Sequence, residues 1–318
     1  MQLAPFEPVP YGALPALPRV AHPFFSAACR DERVRVRTPH FGEVTLAVRR
    51  YGGKKPGAKK LVCIHGLMTS SYSFRYLLER LGDECELIAP DLPGAGRSDA
   101  PDVPYGPEEL ADLLAALFEE LGLDAPPVLG NSMGGYLAMR LAMRHPARVG
   151  RLVNLHSPGI VTPRMRALDA ALRVPGAHGL LDVLVSRDPR RWVWKNVHYY
   201  DESLKSREEV EEYSAPLQTP AGRRAFARYL SDTLSVAGMV RFAADLRGGE
   251  RGRFPVPLLL VYARRDPMVP PSVGERLAAL VPDARLTWLD RGSHFAHVDA
   301  PDDFLAAAKD FLLGGSPR

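Results

Sequence analysis

The most informative segment of the chain is VLGNSMGGYLAMR, residues 128–140. A short apolar run precedes Gly130-Asn131-Ser132-Met133-Gly134 and an apolar helical pattern follows it, so the segment reads as strand, tight turn and helix. The turn matches G-x-S-x-G, in which small residues allow close packing while the central serine takes a strained backbone conformation. The serine hydroxyl is then exposed at a helix N-terminus, where negative charge is favoured. We predict that Ser132 is a nucleophile; the alternative is an ordinary glycine-rich turn.

A serine hydroxyl needs a base near neutral pH, and the base needs a group that orients it. His294 lies in the loop between the apolar run Leu286–Leu289 and a helix that begins near Pro301. Asp266 ends the segment that follows another apolar run. All three groups follow apolar runs and are therefore expected at the carboxyl edge of a parallel sheet, and serine, aspartate, histidine is one of the chain orders in which such triads occur. We predict His294 as base and Asp266 as acid.

Other residues could fill these two positions. His297 is only three residues from His294 and is the alternative base. Asp290 is the alternative acid, although it lies on the same connection as the histidine. His65 and His156 are interpreted as structural or surface residues.

Acyl transfer places negative charge on an oxygen atom, and backbone N–H groups must stabilise it. We assign one such donor to Met133, the residue after the nucleophile. The second is assigned to Leu67 in the loop His65-Gly66-Leu67-Met68, with Met68 as second choice. The alternative is that this loop merely makes a tight turn.

Short apolar runs alternate with helical patterns along most of the chain, which is typical of a parallel sheet covered on both faces. Before them, Glu32–Arg37 and Glu43–Arg50 alternate apolar and charged residues and predict a hairpin with one solvated face. The predicted buried strands are Leu61–Ile64, Leu87–Ala89, Val128–Leu129, Leu152–Leu155 and Leu258–Tyr262. The predicted helices are Tyr72–Leu81, Pro107–Leu121, Gly134–Arg144, Val273–Leu280 and Pro301–Leu313.

Two segments depart from this alternation. Residues 1–30 are rich in proline and are predicted to form an arm that lies along the surface or is partly disordered. Residues 161–247 have helical patterns without a convincing strand, and we interpret them as a helical insertion into a core formed by residues 31–160 and 248–318. The substrate-contacting residues that we predict are aromatic and come from the insertion and the histidine loop: Trp192, Trp194, Tyr199, Tyr200 and Phe295.

Taken together, these motifs resemble the α/β-hydrolase superfamily, in particular its cap-bearing serine hydrolases. The resemblance rests on His65-Gly66, the segment DLPGAGRS at residues 91–98, the turn at Ser132, Asp266, and Ser293-His294-Phe295. It implies a mostly parallel eight-stranded sheet flanked by helices, with residues 161–247 as a helical cap over the site. In that family the loop of Asp91 is structural. Relatives that dehalogenate or open epoxides use an aspartate nucleophile, so Ser132 argues against both reactions.

Composition narrows the classes of function. The net charge of +4 comes from interspersed charges without a long basic run, which argues against nucleic-acid binding. No apolar stretch is long enough to predict a membrane span, and no secretory signal is evident. The three cysteines match no metal or disulfide pattern and favour the cytoplasm. No metal and no cofactor are predicted.

The predicted function is hydrolysis of a small or medium carboxylic ester through an acyl-enzyme. One alternative keeps the same three residues but cleaves a carbon–carbon bond in a ring-cleavage product, or transfers the acyl group to an acceptor other than water. A non-enzymatic alternative is a ligand-binding protein with a silent triad. Fold does not imply substrate, and the sequence leaves substrate identity and oligomeric state open.

Overall fold

The hairpin at the edge of the sheet alternates buried and exposed residues, whereas the central strands are buried along nearly their whole length. Together these strands form one sheet. In the computed structural model, which describes residues 6–248 and 253–314, the sheet has eight strands in the order β1-β2-β4-β3-β5-β6-β7-β8. β1 and β2 pair antiparallel with each other and β2 pairs antiparallel with β4, whereas all pairs from β4 to β8 are parallel. The strands are β1 (Arg30–Thr38), β2 (Gly42–Gly52), β3 (Lys59–Ile64), β4 (Cys85–Pro90), β5 (Pro127–Asn131), β6 (Arg151–Leu155), β7 (Leu258–Ala263) and β8 (Arg285–Leu289).

Twelve α-helices lie within the described residues. Those of the core are α1 (Arg75–Gly82), α2 (Pro107–Glu120), α3 (Met133–Arg144), α10 (Pro271–Leu280), α11 (Ala296–Asp299) and α12 (Pro301–Leu313). Those between β6 and β7 are α4 (Pro163–Leu172), α5 (Ala177–Arg187), α6 (Pro189–Asn196), α7 (Arg207–Ser214), α8 (Pro220–Arg228) and α9 (Val236–Gly248). The predicted strands and helices of the core are therefore present, with ends shifted by no more than three residues.

Successive residues of the central strands point to opposite faces of the sheet, and each face packs into its own apolar cluster. In β3, Val62 and Ile64 join the cluster that contains α2 and α3, whereas Leu61 and Cys63 join the cluster that contains α1 and α12. Helices thus cover both faces, as the parallel sheet requires. This is the predicted fold class, a mostly parallel eight-stranded sheet flanked by helices.

Helix α2 shows how the sequence pattern produces this packing. Its leucines at positions 110, 113, 114 and 117 follow helical spacing and are all fully buried. Pro107 occupies the first turn, where its missing N–H costs no hydrogen bond, and Glu108 and Glu109 complement the helix dipole there. Each fully buried leucine contributes about 1.5–3 kcal/mol to the stability of the fold.

The N-terminal arm is ordered along the surface from Phe6 onward; residues 1–5 of the predicted arm lie outside the described residues. It runs across the helical insertion, residues 161–247, and Phe24 then packs into the core cluster of α1. Hydrogen bonds between the arm and the insertion include Phe6 N to Tyr200 O at 3.0 Å, Trp194 Nε1 to Val9 O at 3.0 Å, Arg207 N to Pro15 O at 2.8 Å and Glu208 N to Ala16 O at 3.1 Å. The arm therefore fastens part of the insertion to the core.

The insertion contains helices and single helical turns but no strand in the described residues. It leaves the sheet after β6 and returns before β7, so it lies beside the carboxyl ends of the central strands. None of the helices formed by residues 6–248 and 253–314 is long and apolar enough to cross a bilayer.

Candidate active site

Ser132 sits on the sharp turn between β5 and α3. Its φ of 54° and ψ of −122° lie in a region that L-residues rarely occupy, at a cost of about 1–3 kcal/mol. Two backbone hydrogen bonds maintain this conformation: Ser132 N donates to Leu155 O at 2.8 Å, and Tyr136 N donates to Ser132 O at 3.1 Å. The backbone strain is thus stored at the residue predicted to be the nucleophile.

Close packing explains the glycines around this turn. A Cβ at position 134 would lie 2.1 Å from the carbonyl oxygen of Ile64, and one at position 130 would lie 2.6 Å from the Cα of Gly135. A Cβ at Gly66 would lie 3.1 Å from the Cβ of Ser132, so the loop after β3 lies directly against the serine. Neighbouring backbone excludes a side chain at positions 130 and 134, and a side chain at position 66 would crowd Ser132.

Asp266 and His294 meet at the carboxyl ends of β7 and β8. His294 Nδ1 and Asp266 Oδ2 are 2.7 Å apart, and both side chains are buried. The other carboxylate oxygen accepts from the N–H groups of Met268 at 2.7 Å and Val269 at 2.9 Å. Burial by itself raises the pKa of Asp266, but the charge and hydrogen bond of His294 outweigh it and hold that pKa below its usual value. Asp266 is therefore an ionised acceptor that fixes a proton on Nδ1 of His294.

Ser132 and His294 line the same cavity, which has a volume of about 380 Å³. Asn131, fully buried, joins the two: its Nδ2 donates to the backbone oxygen of His294 at 2.9 Å. Leu67 and Met68 also line the cavity beside the serine, and Met133 begins helix α3, where the first N–H groups have no partner within the helix. The structure thus brings together the three predicted catalytic residues and the two predicted oxyanion segments.

The wall of the cavity is largely apolar, and the helical insertion supplies most of it. Its apolar side chains in the wall are Met165, Leu168, Leu172, Leu181, Trp192, Val197, Phe226, Leu230 and Leu234. Polar wall residues other than Ser132 and His294 are Thr162, Arg164 and Asn196. Such an apolar cavity with a few convergent polar groups is typical of a small-molecule site.

The five predicted substrate-contacting aromatics separate into two groups. Trp192 and Phe295 line the cavity, whereas Trp194, Tyr199 and Tyr200 are absent from its described lining. Trp194 donates to the arm, Tyr199 is fully buried with its hydroxyl 2.8 Å from Glu209 Oε2, and Tyr200 packs edge-on against Phe6. These three side chains therefore contact the arm or the protein interior instead of the cavity.

The alternatives to His294 and Asp266 occupy different environments. His297 is fully buried against Phe74 and Phe295, and burial holds its pKa well below the usual value, so it is neutral. Asp290 is exposed and forms an ion pair with Arg264 at 3.0 Å. Neither belongs to the described lining of the cavity.

His65 and Asp91 hold loops beside the serine. His65 Nε2 accepts from Leu92 N at 2.9 Å, while Nδ1 is 2.8 Å from Gly66 O. Asp91 accepts from Ser71 N at 2.7 Å and from Arg97 N at 2.9 Å. His65 and Asp91 thus make the contacts of structural residues, which agrees with the interpretation from sequence.

His156 also lies beside Asp266 and His294, and no pattern in the sequence indicated that position. It follows β6 with a φ of +58° and its ring centroid lies 5.6 Å from that of His294. Ligand atoms of His156, Asp266 and His294 lie within 4.8 Å of one another, close enough to hold a metal ion. However, Nε2 of His156 accepts from Ala263 N at 2.6 Å, so its proton is on Nδ1, which is then a donor rather than a metal ligand. Burial also lowers the pKa of His156 to about 4, which keeps the ring neutral.

Asp299 holds the loop that carries His294. Its carboxylate accepts from Ser293 N at 3.1 Å and from Tyr200 N, in the insertion, at 2.7 Å. Burial raises the pKa of Asp299 to about 6. The position of the histidine loop is therefore tied to the insertion through one buried carboxyl group.

Comparison with known proteins agrees with this geometry. The model described as "Alpha/beta hydrolase family" matches residues 61–308. A 2-hydroxymuconate semialdehyde hydrolase of Pseudomonas sp. strain CF600 is 27% identical, over 79% of this chain and 86% of its own. A pimeloyl-[acyl-carrier protein] methyl ester esterase of Neisseria meningitidis is 29% identical, over 81% and 94%. The crystal structure of the haloalkane dehalogenase DatA from Agrobacterium tumefaciens C58 superposes with a TM-score of 0.70 at 22% identity, over 92% and 99%. Proteins similar to this chain thus share its fold and carry names that describe several reactions.

Proposed function

The chain belongs to the α/β-hydrolase family, and from that premise we propose that it is a serine hydrolase that cleaves a small or medium carboxylic ester. The observation that carries the proposal is the strained Ser132, placed in one apolar cavity with His294, whose Nδ1 is bonded to the buried Asp266. A hydroxyl nucleophile, an oriented base and an ionised acid are the groups that acyl transfer requires.

The proposed reaction has two steps. His294 Nε2 takes the proton of Ser132 Oγ as the oxygen attacks the ester carbonyl, and the N–H groups of Leu67 and Met133 stabilise the oxyanion. His294 then donates the proton to the leaving alcohol, which leaves an acyl-enzyme. Water, deprotonated by His294, releases the acid and restores the serine. Asp266 holds the histidine in position and stabilises its charged form throughout.

The cavity supports a preference for an apolar acyl group. Trp192 and Phe295 line it among aliphatic side chains, and residues 161–247 act as its cap. Burying a methylene group contributes about 0.8 kcal/mol, so each added carbon that fits should strengthen binding by up to about fourfold. Cys29, Cys63 and Cys85 are buried free thiols, which favours a reducing compartment such as the cytoplasm.

The test is turnover of a series of p-nitrophenyl esters from acetate to octanoate by the wild type and by Ser132→Ala. Loss of the nucleophile should lower kcat by on the order of 10⁶. Ser157→Ala is the matched control, because Ser157 is a buried serine near the turn that lies outside the described lining of the cavity. Ester turnover that survives in Ser132→Ala would refute the proposal.

If the protein hydrolyses none of these esters, carbon–carbon cleavage, acyl transfer and ligand binding are tested next. The name of the Pseudomonas relative gives 2-hydroxymuconate semialdehyde as the first substrate to try for carbon–carbon cleavage. Adding an alcohol acceptor and measuring a new ester would reveal acyl transfer. Binding of the same compounds without turnover would indicate a ligand-binding protein.

A further inference from the structure

Helices α4 and α5 form a hairpin, here called the outer hairpin, that is only one helix thick between the cavity and solvent. Its inner side supplies Met165, Leu168, Leu172 and Leu181 to the cavity wall. No residue of α4 is buried, and Val185 is the one buried residue of α5. Most of this hairpin is therefore surface.

The outer side of α5 is also apolar, which is unusual for a surface helix. Leu180, Val183 and Leu184 are 61%, 47% and 44% exposed, and their spacing of three and four places them on one stripe. Val174, in the turn between the two helices, is 59% exposed. Exposed apolar patches with polar rims mark surfaces that contact other proteins or membranes.

The outer hairpin carries more positive than negative charge. Residues 163–187 contain four arginines and two aspartates. Both aspartates are neutralised, because Asp169 pairs with Arg173 and Asp182 pairs with Arg223. The other three arginines have no ion pair among the residues that the structure describes: Arg164, Arg166 and Arg187. Arg187 continues the stripe, since it lies seven residues after Leu180 and three after Leu184.

We propose that the outer hairpin docks on the surface of an anionic phospholipid bilayer. Its aliphatic stripe would enter the boundary between headgroups and acyl chains, while Arg187, which continues the stripe, contacts anionic headgroups. Each partner in a stable protein–protein complex buries roughly 800 Å² of surface, and four half-exposed aliphatic side chains offer far less apolar area than that. A second copy of the chain is therefore disfavoured as the occupant. Shallow insertion of one helix into a bilayer needs no such area.

Docking would place the cavity wall directly against the lipid. The ester proposed as substrate could then pass from the bilayer to Ser132 along the inner side of the same hairpin. Binding to the lipid does not depend on catalysis, so the docking proposal and the proposed function are tested by separate measurements.

The experiment is co-sedimentation of the full chain with vesicles of phosphatidylcholine alone and with vesicles containing about 30% phosphatidylglycerol. We expect binding to the anionic vesicles only, with strong weakening near 1 M NaCl, where the Debye length is about 3 Å. The variant Leu180→Ser/Val183→Ser/Leu184→Ser should need about tenfold more lipid for half-maximal binding. Ser132→Ala should bind like the wild type.

A triple variant of the arm, Leu17→Ser/Val20→Ser/Phe25→Ser, is the matched control, because these side chains are 66%, 43% and 49% exposed. Its binding should equal that of the wild type. Equal binding by the α5 variant, or no binding to either vesicle, would overturn the proposal. Light scattering without lipid provides a further check: a dimer that the α5 variant abolishes would assign the stripe to a second copy instead. A thermal melt of the α5 variant that matches the wild type shows that the variant is folded.

Discussion

Replacing Asp266 by asparagine should inactivate the enzyme through the wrong tautomer of His294. One carboxylate oxygen accepts from two backbone N–H groups, those of Met268 and Val269, and the other faces His294 Nδ1 at 2.7 Å. In the variant the amide oxygen must stay with the two N–H donors, so the amide NH₂ faces Nδ1. That nitrogen then accepts, and the imidazole proton moves to Nε2. No lone pair is left on Nε2 to take the proton of Ser132.

The expected loss in kcat is on the order of 10⁴, which corresponds to ~5 kcal/mol of transition-state stabilisation. KM should change little, because Asp266 does not belong to the described lining of the cavity. The assay is steady-state hydrolysis of whichever p-nitrophenyl ester the wild type prefers, together with a thermal melt to show that the variant is folded. A fall in kcat with an unchanged KM indicates a loss of chemistry rather than a loss of substrate binding.

Asp290→Asn is the matched control. Asp290 is exposed and paired with Arg264 at the surface, and such pairs contribute about 0–1 kcal/mol, so kcat should stay within about twofold. The assignment fails if Asp266→Asn keeps more than about a tenth of the wild-type kcat, since the tautomer argument requires a far larger loss. A large loss in Asp290→Asn instead would make that residue the acid.

Three further predictions concern the structure around the site. Glu209→Gln leaves the fully buried Arg75 without its carboxylate partner and should lower the free energy of unfolding by about 3–5 kcal/mol in urea titrations; a loss below about 1 kcal/mol would contradict the pairing. Gly134→Ala would place a Cβ 2.1 Å from Ile64 O. It should lower the free energy of unfolding by roughly 1–3 kcal/mol or more, as in other overpacked sites, and both the melting temperature and kcat should fall. Burial raises the pKa of Asp299 from 3.8 to about 6, so the folded state takes up its proton before the unfolded state does as pH falls. The stability of the wild type relative to Asp299→Asn should therefore rise by up to ~3 kcal/mol between about pH 8 and pH 4, and a pH-independent difference would refute this.

Periodicity and turn chemistry were sufficient to predict the sheet and the positions where polar residues gather. Continuous apolar runs identified the buried strands because a strand covered on both faces needs apolar residues at every position. The residues that follow those strands then had to meet at one edge, which is why Ser132, Asp266 and His294 could be proposed as neighbours. No such logic applied inside the insertion, where six helices cross without a sheet to orient them.

The insertion is where residue type was a poor guide. Trp192 and Trp194 are two residues apart on α6, so they lie about 200° apart around the helix, and only Trp192 lines the cavity. Tyr199 was predicted to contact substrate because of its ring, but it is part of the buried group of Glu209 and Arg75. That ion pair joins residues 134 positions apart and has no signature in either local sequence.

His156 and Asn131 show a different limit. Each acts through a contact with a distant strand end: His156 accepts from Ala263 N, and Asn131 donates to His294 O. The direction of these side chains depends on the positive φ at position 156 and on the register of β5 and β6, neither of which a residue pattern specifies. Contacts that position a catalytic group are thus harder to predict than the group itself.

The distribution of contacts also predicts which part of the insertion opens most readily. The arm bonds to Trp194, Tyr200 and the start of α7, and the Arg75–Glu209 pair and the Asp299–Tyr200 bond hold the same half of the insertion to the core. The outer hairpin instead relies on Asp169, which accepts from Val236 N at 3.0 Å, on the partly exposed Asp182–Arg223 pair, and on its packing over the cavity. Local opening costs least where few groups are buried, so α4 and α5 should separate from the core before α6 and α7 do. An apolar phase against the outer stripe would lower that cost further, because the side chains exposed by opening would no longer face water.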